Sequence, residues 1–242
     1  MRSFLFSWKS YFILSAGTFV SVWISYCLGS AWLLPVLMTL ALYPFFIADL
    51  VLGEKGLAFR HVLGWVFVSS VLIIVFTRTD PGAMGHLILR GINYRDEMFR
   101  WILTGEGTEG NPQRFIPEHL RHFAIASIAT LLTGGLCGLA FGAILFNYMN
   151  FYVGSLSLKM DPPLLAYLFG WPVWSLFRVV GFVLWGIALA HPLLSLLCHF
   201  KPDWRGLWKW MAVGIFLGGA DIFLKWALAP FWRELLRRGL RV

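Results

Sequence analysis

An aspartate and a lysine lie inside the last long apolar stretch of the sequence, where ionisable side chains are rare. Asp221 and Lys225 stand four residues apart, so a helix would place them on one face as a direct ion pair near mid-span. An unpaired charge at the bilayer centre costs about 2.5–3.5 kcal/mol on insertion scales. The pair is a candidate ion or proton relay or substrate site, and equally a neutralised pair that packs the helix against a neighbour.

Three more polar side chains lie in or beside apolar stretches. Arg178 could face Asp221 or an anionic headgroup, or it could snorkel to the interface. His191 precedes Pro192, which frees a backbone carbonyl, so a hydrogen bond between helices is favoured over a haem or metal ligand. Asp49 closes an apolar stretch and is interpreted as an interface marker.

Two histidines and two asparagines are predicted to lie at the membrane interface. His119 and His122 stand three apart, but no thiol or second carboxylate has ligand spacing with them, so the sequence predicts no metal site. Asn147 and Asn150 belong to a polar and aromatic continuation of an apolar stretch. No nucleotide-binding, G-x-S-x-G or CxxC motif and no paired catalytic carboxylates occur, so nothing indicates an enzyme.

Glycines recur at every fourth position in two apolar stretches. Such small-xxx-small stripes let helix backbones approach closely, either within one chain or between subunits. The members are Gly134, Gly138, Gly142, Gly214 and Gly218.

The composition is that of a membrane protein. Of 242 residues, 59% are hydrophobic and 13% are charged, against about 45–50% and about 25% in soluble domains. The net charge of +8 comes from Lys and Arg between the apolar runs, so it indicates topology signals and anionic lipid headgroups rather than nucleic acid. Three cysteines within apolar stretches are predicted to be buried free thiols: Cys27, Cys137 and Cys198.

The apolar stretches predict an all-α polytopic transmembrane helix bundle. We expect about six spans, each with about 20 apolar residues, at 11–28, 32–48, 61–77, 123–145, 173–197 and 207–229. Residues 79–121 are predicted to be extramembrane, with an amphipathic outer helix on the bilayer or on the protein and then a flexible loop. Residues 162–200 contain either a re-entrant piece at 164–171 followed by a full span, or one kinked helix.

The distribution of Lys and Arg predicts that both ends lie on the cytoplasmic side. Nine of these residues, four of them in the C-terminal tail, would then lie in cytoplasmic segments. The expected location is a bacterial cytoplasmic membrane.

From about 61 to 200 the order of features resembles the stage II sporulation protein M family of bacterial membrane proteins. The resemblance is carried by Asp80-Pro81, then the glycines at 134, 138 and 142, then Asn147 and Gly154, then Pro172. It implies a non-enzymatic membrane component that works with partners in envelope or membrane remodelling.

Three functions remain open from the sequence. The first is a non-catalytic subunit or scaffold of a membrane assembly, with other membrane subunits or further copies of the chain as partners. The second is an ion or small-solute channel or transporter that uses Asp221, Lys225 and Arg178. The third is a quinone- or haem-linked anchor that uses His191. No cofactor is predicted, and bound phospholipid is expected.

Overall fold

The chain folds almost entirely into helices. The computed structural model describes residues 2–240, with side chains from Phe4 onward. The helices are α1 (Arg2–Leu5), α2 (Trp8–Leu28), α3 (Leu33–Val51), α4 (Lys55–Thr79), α5 (Pro81–Leu87), α6 (Gly91–Thr104), α7 (Pro112–Thr133), α8 (Leu136–Ser157), α9 (Leu164–Phe169), α10 (Val173–Leu197) and α11 (Trp204–Gly239). Six of them, α2, α3, α4, α8, α10 and α11, are long and apolar enough to cross a membrane, which confirms the predicted all-α polytopic class.

Polar contacts define the two ends of the bundle. At the end that we call proximal, His61 of α4 contacts Asp49 of α3 through one ring nitrogen and Ser10 of α2 through the other. At the distal end, the Tyr26 hydroxyl of α2 donates to Asp80 after α4, over 2.9 Å. Asp80 also caps α5 by accepting from the Ala83 amide, and these two bonds hold the pKa of Asp80 below its ordinary value. The helices α2, α3 and α4 therefore alternate in direction across the bundle.

The predicted span 123–145 is wrong, because the chain reverses direction within it. Gly134 and Gly135 adopt positive φ angles of 57° and 97°, which glycine tolerates and other residues rarely do. The reversal pairs α7 with α8 so closely that a Cβ on Gly138 would collide with the side chain of Thr130. The apolar helix α8 is the candidate span, whereas α7 runs beside it with a polar first half.

The stretch 162–200 is not one kinked helix, because it forms the short helix α9 and then the long helix α10. The short helix α9 packs against α8 and α11, and its Ala166 is buried in a hydrophobic cluster with residues of both helices. Its Tyr167 hydroxyl accepts a hydrogen bond from Arg78 at the distal end, and the carbonyl of Phe169 accepts from the Trp232 indole. Pro172 precedes α10, which continues through Pro192 as one helix of 25 residues.

The last helix, α11, is longer than the predicted span 207–229, and it ends at the distal end of the bundle. It continues through Pro230 for 36 residues, about 54 Å at 1.5 Å per residue. It begins where Asp203 pairs with Lys55 over 2.8 Å at the proximal end. It finishes where the Gly239 carbonyl accepts from the Asp161 amide at the distal end. Within the described residues the two ends of the chain therefore lie at opposite ends of the bundle, because α7 adds a reversal beside the six candidate spans; the side of the membrane on which each end lies stays a prediction.

The predicted outer amphipathic helix packs on the protein at the distal end. Residues 79–121 contain α5, α6 and the start of α7, and α6 buries Met98, Trp101 and Ile102. The Arg233 guanidinium of α11 donates to the carbonyls of Trp101 and Ile102, over 3.0 and 3.1 Å. These bonds satisfy carbonyls at the end of α6, so the helix is anchored to α11 rather than resting on lipid alone.

Cysteine labelling tests this topology. In a variant without the native cysteines, Ser30→Cys and Arg238→Cys are expected to react from the same side with a non-permeant maleimide. Lys201→Cys should react only from the opposite side, because it precedes the proximal start of α11. The assay compares intact and permeabilised cells. Labelling of Arg238→Cys together with Lys201→Cys would contradict the arrangement.

Candidate functional site

A buried ion pair joins α10 to α11 near the distal end. Arg178, in the second turn of α10, donates two hydrogen bonds of 3.0 Å to the Asp221 carboxylate. The Asp221 side chain is only 2% exposed, so this two-pronged guanidinium contact compensates a carboxylate that is removed from solvent. The predicted contact between Arg178 and Asp221 is therefore present.

A second buried ion pair ties α11 to the loop before α7. The Lys225 ammonium lies 2.9 Å from Glu109 and 4.6 Å from the centre of the Phe115 ring, and its side chain is 1% exposed. Burial raises the pKa of Glu109, but the charges of Lys225 and Arg178 outweigh it, so the pKa lies below its ordinary value. Glu109 is thus ionised at neutral pH.

The predicted direct pair between Asp221 and Lys225 is replaced by these two pairs. Each side chain faces an oppositely charged partner from another element, Arg178 or Glu109. Arg178 lies near the start of α10 and Glu109 in the loop before α7, whereas Asp221 lies halfway along the 36-residue helix α11. Glu109 was missed because it stands in a glycine-rich segment that is typical of a flexible loop.

His119 of α7 completes the cluster and has one unused ring nitrogen. Its Nδ1 contacts the Phe115 carbonyl over 2.8 Å, and a carbonyl can only accept, so Nδ1 carries the proton. In the neutral ring Nε2 is then an acceptor, 3.3 Å from the Asp221 carboxylate. That contact becomes a hydrogen bond only when the ring binds a second proton. His119 can therefore exchange a proton beside the ion pairs.

A polar cavity of about 290 Å³ opens beside the cluster, and we call it the distal cavity. Five cationic side chains and three glutamates contribute to its wall; the cationic ones are Arg90, Arg114, Arg121, Arg178 and Lys225. Tyr94 and Tyr148 line it side by side, with ring centres 4.5 Å apart and ring planes tilted by 40°. Burial, aided by Glu109, raises the pKa of Tyr94 well above its ordinary value, so its hydroxyl stays a donor.

An apolar cavity of about 120 Å³ adjoins the distal cavity, and we call it the inner slot. It lies between α4, α7, α8 and α10 and reaches Phe46 and Gly135 toward the proximal end. Four residues line both cavities: His119, His122, Tyr148 and Arg178. The two cavities therefore meet at the charged cluster.

A third polar group, at the proximal end, has the residue order of a hydrolase triad. The Ser10 hydroxyl lies 3.0 Å from His61 Nε2, and His61 Nδ1 lies 2.7 Å from Asp49. All three residues are 0% exposed, and the Ser10 hydroxyl also contacts the carbonyls of Leu5 and Ser7. A nucleophile must meet its substrate, so we interpret the group as a structural tie of α2, α3 and α4.

The short link between α3 and α4 could have predicted the contact between Asp49 and His61. Asp49 and His61 both lie within two turns of that link, so antiparallel helices bring them level. Asp49 was predicted to mark the interface, but it is buried with this partner.

The remaining predicted polar residues are more buried than expected. Asn147 and Asn150 are 2% and 0% exposed in the core, and the Asn147 amide donates to the Met38 sulfur over 3.4 Å. His191 faces the Ile187 carbonyl of its own helix at 3.3 Å, so the predicted bond between helices is wrong. His122 lies against Glu118 at 3.2 Å and lines the distal cavity. The three cysteines, predicted to be buried, are exposed on the bundle surface.

The glycine stripes pack mainly within the chain. A Cβ on Gly134 would lie 2.8 Å from the Leu194 side chain, and one on Gly214 would lie 3.0 Å from the Gly181 carbonyl. By contrast, Gly142 and Gly218 have nothing within 4 Å of an added Cβ.

Within residues 2–240 no group of three or more His, Cys, Asp or Glu side chains could hold a metal ion.

No family model matches the chain, and neither the curated proteins nor the solved structures contain a match.

Proposed function

We propose that this chain binds a small anionic solute in the distal cavity and carries it across a membrane, the bacterial cytoplasmic membrane being the proposed location. The observation that carries the proposal is the excess of cationic over acidic side chains around a cavity of about 290 Å³. Such a wall concentrates anions. The side chains of Arg90 and Arg114 have no hydrogen bond or ion pair within the described part of the chain, so their guanidinium groups are free to bind an anion.

The buried pairs offer a way to couple binding to movement. A bound anion would compete with Glu109 for Lys225 and with Asp221 for Arg178. Because Lys225 holds the loop before α7, occupancy would loosen that loop and favour a second conformation of the distal end. This is the step that a transporter needs and a passive scaffold does not.

The other two proposals have less support. A non-catalytic subunit, as the sporulation family resemblance implies, would use glycine stripes between subunits, whereas Gly134, Gly138 and Gly214 contact their own chain. A haem- or quinone-linked anchor would use His191, which contacts its own helix. Both remain proposals that co-purification and an absorbance spectrum can test.

Anion binding tests the leading proposal. Purified protein in neutral detergent is titrated with inorganic phosphate, sulfate and acetate, and its thermal midpoint is followed. We expect saturable stabilisation by at least one anion, and Arg90→Gln/Arg114→Gln should weaken it about tenfold, which corresponds to ~1.4 kcal/mol. Arg100→Gln removes an exposed charge from α6 outside the cavity and should change nothing.

Transport is measured separately with the bound anion in proteoliposomes. Uptake by the wild-type protein should fall in Asp221→Asn, which disturbs the pair with Arg178. Absence of saturable binding by all three anions at millimolar concentration would overturn the proposal. Binding without uptake would limit it to a binding protein.

A further inference from the structure

The inner slot extends from the anion-binding wall into the apolar part of the bundle. At one end it is lined by His119 and Arg178, and at the other by Phe46 and Gly135. Between them the wall is made of apolar side chains, among them Val62, Leu139 and Phe182. A hydrated anion would lose its solvation there without compensation, so the slot favours an apolar group over a small ion.

The slot suits a hydrocarbon chain. Its volume of about 120 Å³ is several times the ~10–15 Å³ that admits one water-sized group, so a single narrow chain can enter it. An apolar wall favours such a chain by the hydrophobic effect.

Two glycines let the slot reach the outer surface of the bundle. Gly142 of α8 and Gly186 of α10 both line it, and nothing lies within 4 Å of a Cβ added to either. Both residues are half-buried on helices that are candidate membrane spans, and a slot that continued between them would reach the lipid. A chain from the bilayer can therefore enter sideways between these helices.

The two cavities form one site with a polar end and an apolar end. They share His119, His122, Tyr148 and Arg178, and the polar end presents guanidinium groups. Arginine pairs with phosphate oxygens in a two-pronged geometry that lysine cannot reproduce. We infer that the ligand is a single-chain amphiphile with a phosphate headgroup, held with its head in the distal cavity and its chain in the inner slot. This inference rests on the proposed anion site and names its substrate class.

The test separates the head from the chain. Protein in phosphatidylcholine nanodiscs is titrated with oleoyl lysophosphatidic acid, with monoolein, which has the same chain and no phosphate, and with inorganic phosphate. We expect lysophosphatidic acid to bind at least about tenfold more tightly than either of the other two probes.

A variant that fills the inner slot with a side chain tests whether the hydrocarbon chain binds there. Gly142→Leu places a side chain in the slot and should weaken lysophosphatidic acid binding about tenfold, while inorganic phosphate binding stays unchanged. Gly219→Leu is the matched control, because this glycine also has open space around it but lies on the exposed face of α11. Its affinities should equal those of the wild-type protein.

The outcomes distinguish the two proposals. If inorganic phosphate binds and Gly142→Leu leaves lysophosphatidic acid affinity unchanged, the amphiphile inference is overturned and the anion site stands. If monoolein binds as tightly as lysophosphatidic acid and no anion binds, both are overturned. Should Gly142→Leu fail to fold, Gly186→Leu fills the same slot from α10 and serves in its place.

Discussion

Replacing Arg178 by methionine is expected to lower the free energy of unfolding by about 3–5 kcal/mol. The Asp221 carboxylate, with a side chain 2% exposed, would lose both of its guanidinium hydrogen bonds and remain buried. The loss should appear as a lower thermal midpoint and less monodisperse protein in detergent. Arg100→Met removes an exposed arginine from α6 and should stay within about 0.5 kcal/mol of the wild type.

A second substitution should restore most of that stability. In Arg178→Met/Asp221→Asn the carboxylate becomes a neutral amide, so no charge is left uncompensated. The amide can also donate to His119 Nε2, which lies 3.3 Å from the present carboxylate oxygen and is an acceptor in the neutral ring. If the double variant were as unstable as Arg178→Met, the effect would come from lost packing rather than from the buried charge.

Replacing His61 by leucine is expected to cost about 3 kcal/mol or more at the proximal end. Asp49 is 0% exposed and accepts a 2.7 Å contact from His61, so the substitution would strand the carboxylate among α2, α3 and α4. Ser10→Ala removes a neutral hydroxyl that contacts His61 and two carbonyls, and it should cost only about 1 kcal/mol because it leaves no charge uncompensated. Thermal unfolding in one detergent compares the two.

The matched control removes the carboxylate as well. Asp49→Leu/His61→Leu should recover stability, since an apolar pair suits an apolar surrounding. The structural interpretation of this group also predicts that Ser10 does not react with a fluorophosphonate probe. Covalent labelling of Ser10 in the folded protein would show instead that the group is reachable and nucleophilic.

The two buried polar groups act at opposite ends of the bundle. The proximal group joins α2, α3 and α4, whereas the distal group joins α7, α10 and α11. Polar side chains in an apolar bundle favour the arrangements that pair them, because every alternative leaves one unpaired. The distal group differs in that a cavity opens beside it, which is why it can serve a ligand.

The sequence by itself determined the class of the protein and much of its secondary structure. Long apolar runs with few charges are stable as membrane helices, since helix formation satisfies their backbone groups internally. The hairpin of α2 and α3 and the span α10 follow the predicted ranges within a few residues. Asp221, Lys225 and Arg178 were singled out because charges in such runs are costly without partners.

Only the tertiary structure decided which partners these charges have. Spacing along one helix permits a pair between Asp221 and Lys225, but Arg178 and Glu109 arrive from other elements and fit better. The reversal at Gly134 and Gly135 turns α8 back along α7, and α7 carries His119 to the cluster. Local periodicity cannot reveal such a reversal inside one apolar run, because the packing of several helices, rather than the run itself, selects where the chain turns.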